Sequence, residues 1–194
     1  MSIKKKIGLL MFVLFTTSAA KAQDVAIKTN FLYDIWLNVD LGLEVGLAPR
    51  WTVDVTADYN NWTIEGRDWK HWMVQPEARY WFCNRFMGHF LGIHVLGGEY
   101  DFGHIRSKIN ALGSDFRKLG KNYYEGWGVG AGIAYGYAFV LGRHWNLEAE
   151  LGIGYIYAKY DAYDNRAHKN PFETNQTHHY FGATKAAVNL VYLF

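Results

Sequence analysis

Apolar side chains recur at every second position in eight stretches of this chain, and few other patterns restrict a fold so strongly. From Val39 to Leu47 the odd positions are apolar, and Asp40, Gly42, Glu44 and Gly46 fill the even ones. Val53, Val55, Ala57 and Tyr59 alternate with Asp54, Thr56 and Asp58. Trp72, Val74, Pro76, Ala78, Tyr80 and Phe82 oppose Gln75, Glu77 and Arg79. From Trp127 to Leu141 the odd positions are apolar and the even ones almost all Gly or Ala. Trp145 to Tyr157 sets apolar residues against Asn146, Glu148, Glu150, Gly152 and Gly154. Val25 to Phe31 and Ala186 to Phe194 read the same way, and His89 to Tyr100 continues with less regular alternation. Successive strand side chains face opposite ways, so a period of two predicts strands with one apolar face and one polar or small face.

Most of these stretches run nine to fifteen residues, longer than the usual five or six of soluble sheets. They match the roughly 9–11 tilted residues with which a strand crosses a membrane. Short connections at Ala48-Pro49-Arg50-Trp51, Asn84 to Gly88 and Gly142 to Trp145 alternate with long polar ones at Thr63 to His71, Gly103 to Asn122 and Asp161 to His178. That asymmetry is expected of periplasmic turns and outer loops. Each short turn carries an Arg followed by an aromatic, so Trp51, Phe86 and Trp145 are expected at an aromatic rim. The last stretch alternates up to Tyr192 and Phe194, which resembles the signal for insertion into the outer membrane.

Composition closes off other classes. Half of the 194 residues are hydrophobic, 18% are aromatic and 20 are Gly, which excludes a disordered tail, a coiled coil or a helical bundle. A single Cys excludes an internal disulfide framework and a multi-Cys zinc site. Lys4 to Lys6, the apolar run Ile7 to Phe15 and Ala20-Lys21-Ala22 form a cleavable export signal over residues 1–22. Removing it leaves 172 residues carrying 16 basic and 18 acidic side chains, which gives no support to nucleic-acid binding. The expected fold is therefore all-β, an eight-stranded antiparallel transmembrane barrel over residues 23–194 in the outer membrane of a Gram-negative bacterium. A soluble ligand-binding barrel is disfavoured, because the second face is too small and Gly-rich to coat a water-exposed surface.

With the apolar face toward lipid, the interior receives Lys28, Asp40, Glu44, Asp54, Asp58, Gln75, Glu77, Arg79, Glu148, Glu150 and Lys185. An eight-stranded barrel is only wide enough for its side chains to fill. Such charges must pair, with Arg79 and Lys185 the natural partners of the acidic set, and a closed polar plug is expected rather than a pore. His104, Ser107 and Asp101 can be drawn as base, nucleophile and orienting acid of a rim-acting lipid-modifying enzyme, but their spacing is not diagnostic. Arg106, Lys108, Arg117 and Lys118 in the same loop suit anionic lipopolysaccharide. His168, His178 and His179, with Asp161, Asp164 and Glu173, read as a solvated loop, since adjacent histidines on a strand point apart. Trp62, Trp69, Tyr123, Tyr124 and Tyr163 are candidate contacts or interfacial anchors. No catalytic residue, metal or cofactor is expected.

The block Ile27-Lys28-Thr29-Asn30-Phe31-Leu32-Tyr33-Asp34, the stretch Asn38 to Gly46, a basic-Trp turn into Thr52-Val53-Asp54-Val55, and Gln75-Pro76-Glu77-Ala78-Arg79-Tyr80-Trp81 resemble a family of small secreted proteins of unknown function, common in the Bacteroidota. The resemblance implies an outer-membrane barrel, some of whose relatives are encoded near fimbrial or other surface-assembly genes. It implies another envelope or surface protein as a partner, and supplies no catalytic residues.

Overall fold

The computed structural model describes residues 25–35, 38–64, 67–103, 110–111, 114–115, 123–163, 171 and 173–194. Its elements in chain order are β1 (Val25–Asn30), α1 (Phe31–Ile35), β2 (Val39–Ala48), β3 (Trp51–Ile64), β4 (Arg67–Trp81), β5 (Gly88–Gly103), β6 (Asn110–Ala111), β7 (Ser114–Asp115), β8 (Tyr123–Val140), β9 (Trp145–Tyr163) and β10 (Glu173–Leu193). Eight antiparallel strands close in the order β1-β10-β9-β8-β5-β4-β3-β2, with β1 pairing β2 to complete the ring, and β6 and β7 form a small separate hairpin. No helix among the described residues is long and apolar enough to cross a membrane.

The alternation expected from sequence is the alternation of inside and outside. On β2 the exposed side chains Leu41 and Leu43 alternate with Gly42 and Glu44, which face inward; on β5, exposed Leu91, Ile93 and Val95 alternate with buried Phe90, Gly92, His94 and Leu96.

Three local features depart from the simple pattern. The expected strand over Val25 to Phe31 stops at Asn30, whose Oδ1 accepts from Leu32 N at 3.1 Å and starts α1 as an N-cap. Two long connections are shorter than expected, because β3 and β4 continue to Ile64 and from Arg67, and β9 and β10 continue to Tyr163 and from Glu173. On β4, pairing with β5 skips Gln75 and Pro76, where Pro76 has no N–H to donate.

Inside the ring, the end bearing the short turns is filled by Trp81, Phe86 and Phe90, with Ala26, Ala138 and Val191. Phe86 was expected on the outer rim beside Trp51 and Trp145, which are 49% and 46% exposed; it is only 5% exposed. Its backbone turns left-handed at φ 64°, which swings the ring back under Trp81, with centroids 6.1 Å apart.

Candidate functional site

The interior above this aromatic layer is a buried ion network. Glu44, Asp54 and Glu77 stand directly opposite one another on β2, β3 and β4, a row of like charges that destabilises a sheet unless countered. Arg79 counters it. Its Nε lies 2.6 Å from Glu77 Oε1, its Nη1 lies 2.7 Å from Glu44 and 3.1 Å from Glu148, and its Nη2 lies 2.8 Å from Glu150 and 3.4 Å from Asp54. Only a planar guanidinium, with its five N–H donors in a fixed fork, can serve so many acceptors at once. The same group stacks 4.6 Å from the centroid of Phe90, which joins the ionic layer to the aromatic one.

Two lysines complete the set. Lys28 Nζ reaches Glu44 at 2.5 Å, Asp54 at 3.2 Å and Glu148 at 3.6 Å. Lys185 Nζ reaches Glu77 at 2.8 Å, Glu150 at 3.3 Å and Asp54 at 3.9 Å. Thr52 Oγ1 donates to the second oxygen of Glu44 at 2.5 Å, and Trp81 Nε1 donates to Thr52 at 2.9 Å.

The network fits because small residues flank it on neighbouring strands. A Cβ at Gly42 would lie 2.5 Å from Lys28 Cγ, one at Gly92 2.6 Å from Glu77 Cδ, and one at Gly136 2.3 Å from Phe90 Cζ. Large side chains thus lie against glycines of the neighbouring strand: Lys28 on β1 against Gly42 on β2, Glu77 on β4 against Gly92 on β5, and Phe90 on β5 against Gly136 on β8. That pairing of large against small explains the Gly-rich face that the sequence displays.

Sequence reading brings together Lys28, Glu44, Asp54, Glu77, Arg79, Glu148, Glu150 and Lys185, and the structure places all eight in this cluster. Asp40 and Asp58 are buried nearer the loop end and belong to separate contacts. Asp40 accepts from Asn30 N at 2.7 Å, and Asp58 lies 2.7 Å from His71 Nε2. His94 was missed. It faces inward from β5, with Nε2 2.9 Å from Thr184 Oγ1 and Nδ1 3.5 Å from Glu77. Its signal was its parity with Phe90, obscured where the alternation of β5 weakens toward Gly97 and Gly98. Thr184 enters the interior beside Lys185 because a bulge between Ala183 and Lys185 turns both inward.

The outer candidates scatter. Tyr192 and Phe194 lie at the turn end of β10, where their rings meet at 5.2 Å. His178 and His179 face opposite sides of β10, and His179 bonds the Tyr155 hydroxyl. Asp161 accepts from Asn175 N at 2.7 Å. No group of three His, Cys, Asp or Glu among the described residues is placed to hold a metal. The segment 1–22 expected to direct export, His104, Ser107, Asp164, His168 and the loop basic residues Arg106, Lys108, Arg117 and Lys118 lie outside the described residues, as do the side chains of Trp62 and Trp69.

Chemically, the interior is a lock. A hydroxyl–imidazole–carboxylate series exists in Thr184, His94 and Glu77, with His94 fully buried and Glu77 nearly so. Below, Trp81, Phe86 and Phe90 close the bore. No curated protein and no solved structure matches the chain. A family model does, over residues 8–194, and the chain belongs to the family described as Protein of unknown function (DUF3575).

Proposed function

We propose that the protein is a non-enzymatic barrel of the Gram-negative outer membrane, exported by the segment 1–22, and that it serves as a structural and interaction component of a cell-surface or fimbria-related assembly. One observation carries the membrane reading: an apolar exterior bounded by two aromatic girdles around a charged interior. Near the turns, Trp51, Tyr80, Phe82, His89, Tyr137 and Phe139 form a continuous series of ring contacts, and Trp145, Tyr192 and Phe194 form another. Toward the loops stand Tyr59, Trp72 and Trp127, the last 6.0 Å from Tyr157. Between them the exposed positions are Leu91, Ile93, Val95, Val129, Ile133, Leu151 and Ile153.

The spacing suits a bilayer. Trp127 and Tyr137 are ten residues apart on β8. At about 3.4 Å per residue and a tilt of about 40°, that separation rises about 25 Å along the axis, the height of the apolar band of outer-membrane barrels. A closed ring also leaves no unpaired strand edge in lipid. Lipopolysaccharide would surround the loop-side girdle, and the short turns would face the periplasm. The assembly role draws on the family resemblance.

Sucrose-gradient separation of membranes, with boiled and unboiled samples on SDS gels, tests this reading. The expected result is recovery in the outer-membrane fraction after a carbonate wash, with a heat-dependent mobility shift. Release into the wash without such a shift overturns it.

A further inference from the structure

The outer wall carries a cleft of about 450 Å³ across β4, β5 and β8, sided by Trp72, Val74, Pro76, Val95, Trp127 and Val129. Its floor is Gly97, which is paired with Val74 on β4 and Val129 on β8 and shares their outward face. Nothing in the fold calls for glycine at that point. A Cβ there would meet Val129 Cγ1 at 3.8 Å and Gly128 O at 3.9 Å, ordinary contact distances, and the backbone is not left-handed. A β-branched side chain would favour the strand, whereas glycine within a strand marks a place where another group comes close to the backbone.

The loop-side end of the cleft is polar. Trp72, Glu99 and Trp127 stand directly opposite one another, one outward row nearer the loops than Gly97. Glu99 Oε2 accepts from Trp72 Nε1 at 3.0 Å, which holds the carboxylate beside one indole with the second indole across from it. Lys159 lies beyond Trp127 on β9, and among the described residues no ion pair joins it to Glu99. An exposed carboxylate flanked by indoles at the border of an apolar band suits a cation, through its charge and through the ring quadrupoles. One row further out, Asp101, Glu125 and Asp161 stand in line, with Lys70 at one end, so an anionic head is disfavoured. An alkyl chain laid over Gly97 covers the apolar floor and brings the head of an amphiphile to Glu99.

We infer that this cleft binds a membrane lipid with an ammonium headgroup, its chain over Gly97 and its ammonium on Glu99 between Trp72 and Trp127. The inference rests on the lipid-facing exterior proposed above and names the lipid class that exterior selects. The test uses the full chain reconstituted in phosphatidylcholine vesicles, with dibromostearylamine and dibromostearyl alcohol as probes. The two share a chain that quenches tryptophan fluorescence and differ in the charge of the head. The amine should reach half of its saturable quenching at a mole fraction about tenfold lower than the alcohol. Glu99→Gln keeps an acceptor for Trp72 but loses the charge, and should bring the two probes level. Gly97→Val should keep the heat-dependent mobility shift of the folded chain and weaken both probes several-fold by filling the floor. Glu125→Gln, which removes a neighbouring charge outside the cleft, should leave the preference for the amine intact. A preference that survives Glu99→Gln, an equal loss in Glu125→Gln, or indifference of both probes to a folded Gly97→Val chain overturns the inference. Should Gly97→Val fail to fold, Glu99→Gln, which changes almost no volume, decides. A native chain that inserts in membranes but is quenched equally by amine and alcohol sinks this inference alone, whereas one that fractionates as soluble protein sinks the membrane reading first.

Discussion

Arg79 is the residue on which the interior turns. Five carboxylates lie within 3.4 Å of its guanidinium nitrogens, and the lysines alone cannot satisfy the row of Glu44, Asp54 and Glu77. Replacing a buried pair with apolar residues of similar volume is often tolerated, but removing one partner strands the other charge. Arg79→Met should therefore lower stability by about 3–5 kcal/mol. Urea unfolding in lipid vesicles, followed by tryptophan fluorescence, measures it, and Arg79→Lys should recover only part of the loss because an ammonium lacks the planar fork. An unchanged midpoint for Arg79→Met would mean that the carboxylates are neutralised by other means. At this scale the inward set was legible, since parity on each strand assigns a face to every charge. The hub was not, because alternation says which residues enter the interior and nothing about which of them meet.

Elements explain why those charges have room. β8 presents Gly128, Gly132, Ala134, Gly136 and Ala138 to the inside, where Gly132 and Gly136 lie against side chains as large as His94 and Phe90. Gly136→Leu should therefore displace Phe90 and open the aromatic layer, and the heat-shifted band of folded protein should fall by at least half after refolding at room temperature. The control Ala131→Leu, on the exposed face of the same strand, should fold normally; equal losses for both would assign the effect to β-propensity instead of the interior. Element boundaries were the least legible part of the sequence. The cap at Asn30 is a bond to Leu32 N that a two-residue period does not record, and the bulge before Lys185 depends on pairing with β9. Asn175, left-handed at φ 55°, sits where the pairing of β10 with β9 shifts, and Asn is among the few residues that accept that conformation.

For the molecule as a whole, polarity is inverted relative to a water-soluble domain, with charges inside and aliphatic side chains outside. If the exterior meets lipid, Ile133→Arg, near the middle of the apolar band, should cost about 2–4 kcal/mol in vesicles. The same substitution in neutral detergent micelles should cost clearly less, and equal unfolding midpoints for native and variant chains in vesicles would argue against a lipid-facing surface. Alternation, composition and the placement of turns were enough to set strand number, the face of most strand residues and the antiparallel order, because the two-residue period of a strand is a property of the backbone and is written locally. Closure decided the rest. Bringing β1 against β10 and β2 carries Lys28 and Lys185 into one cluster of carboxylates, where both reach Asp54, and it brings three separate turns together at one end of the ring. It also draws Phe86 inward, away from the rim its neighbours occupy. The β1–β10 pairing joins residues up to 167 positions apart, as between Ala26 and Leu193, and only the register of a completed ring specifies such juxtapositions.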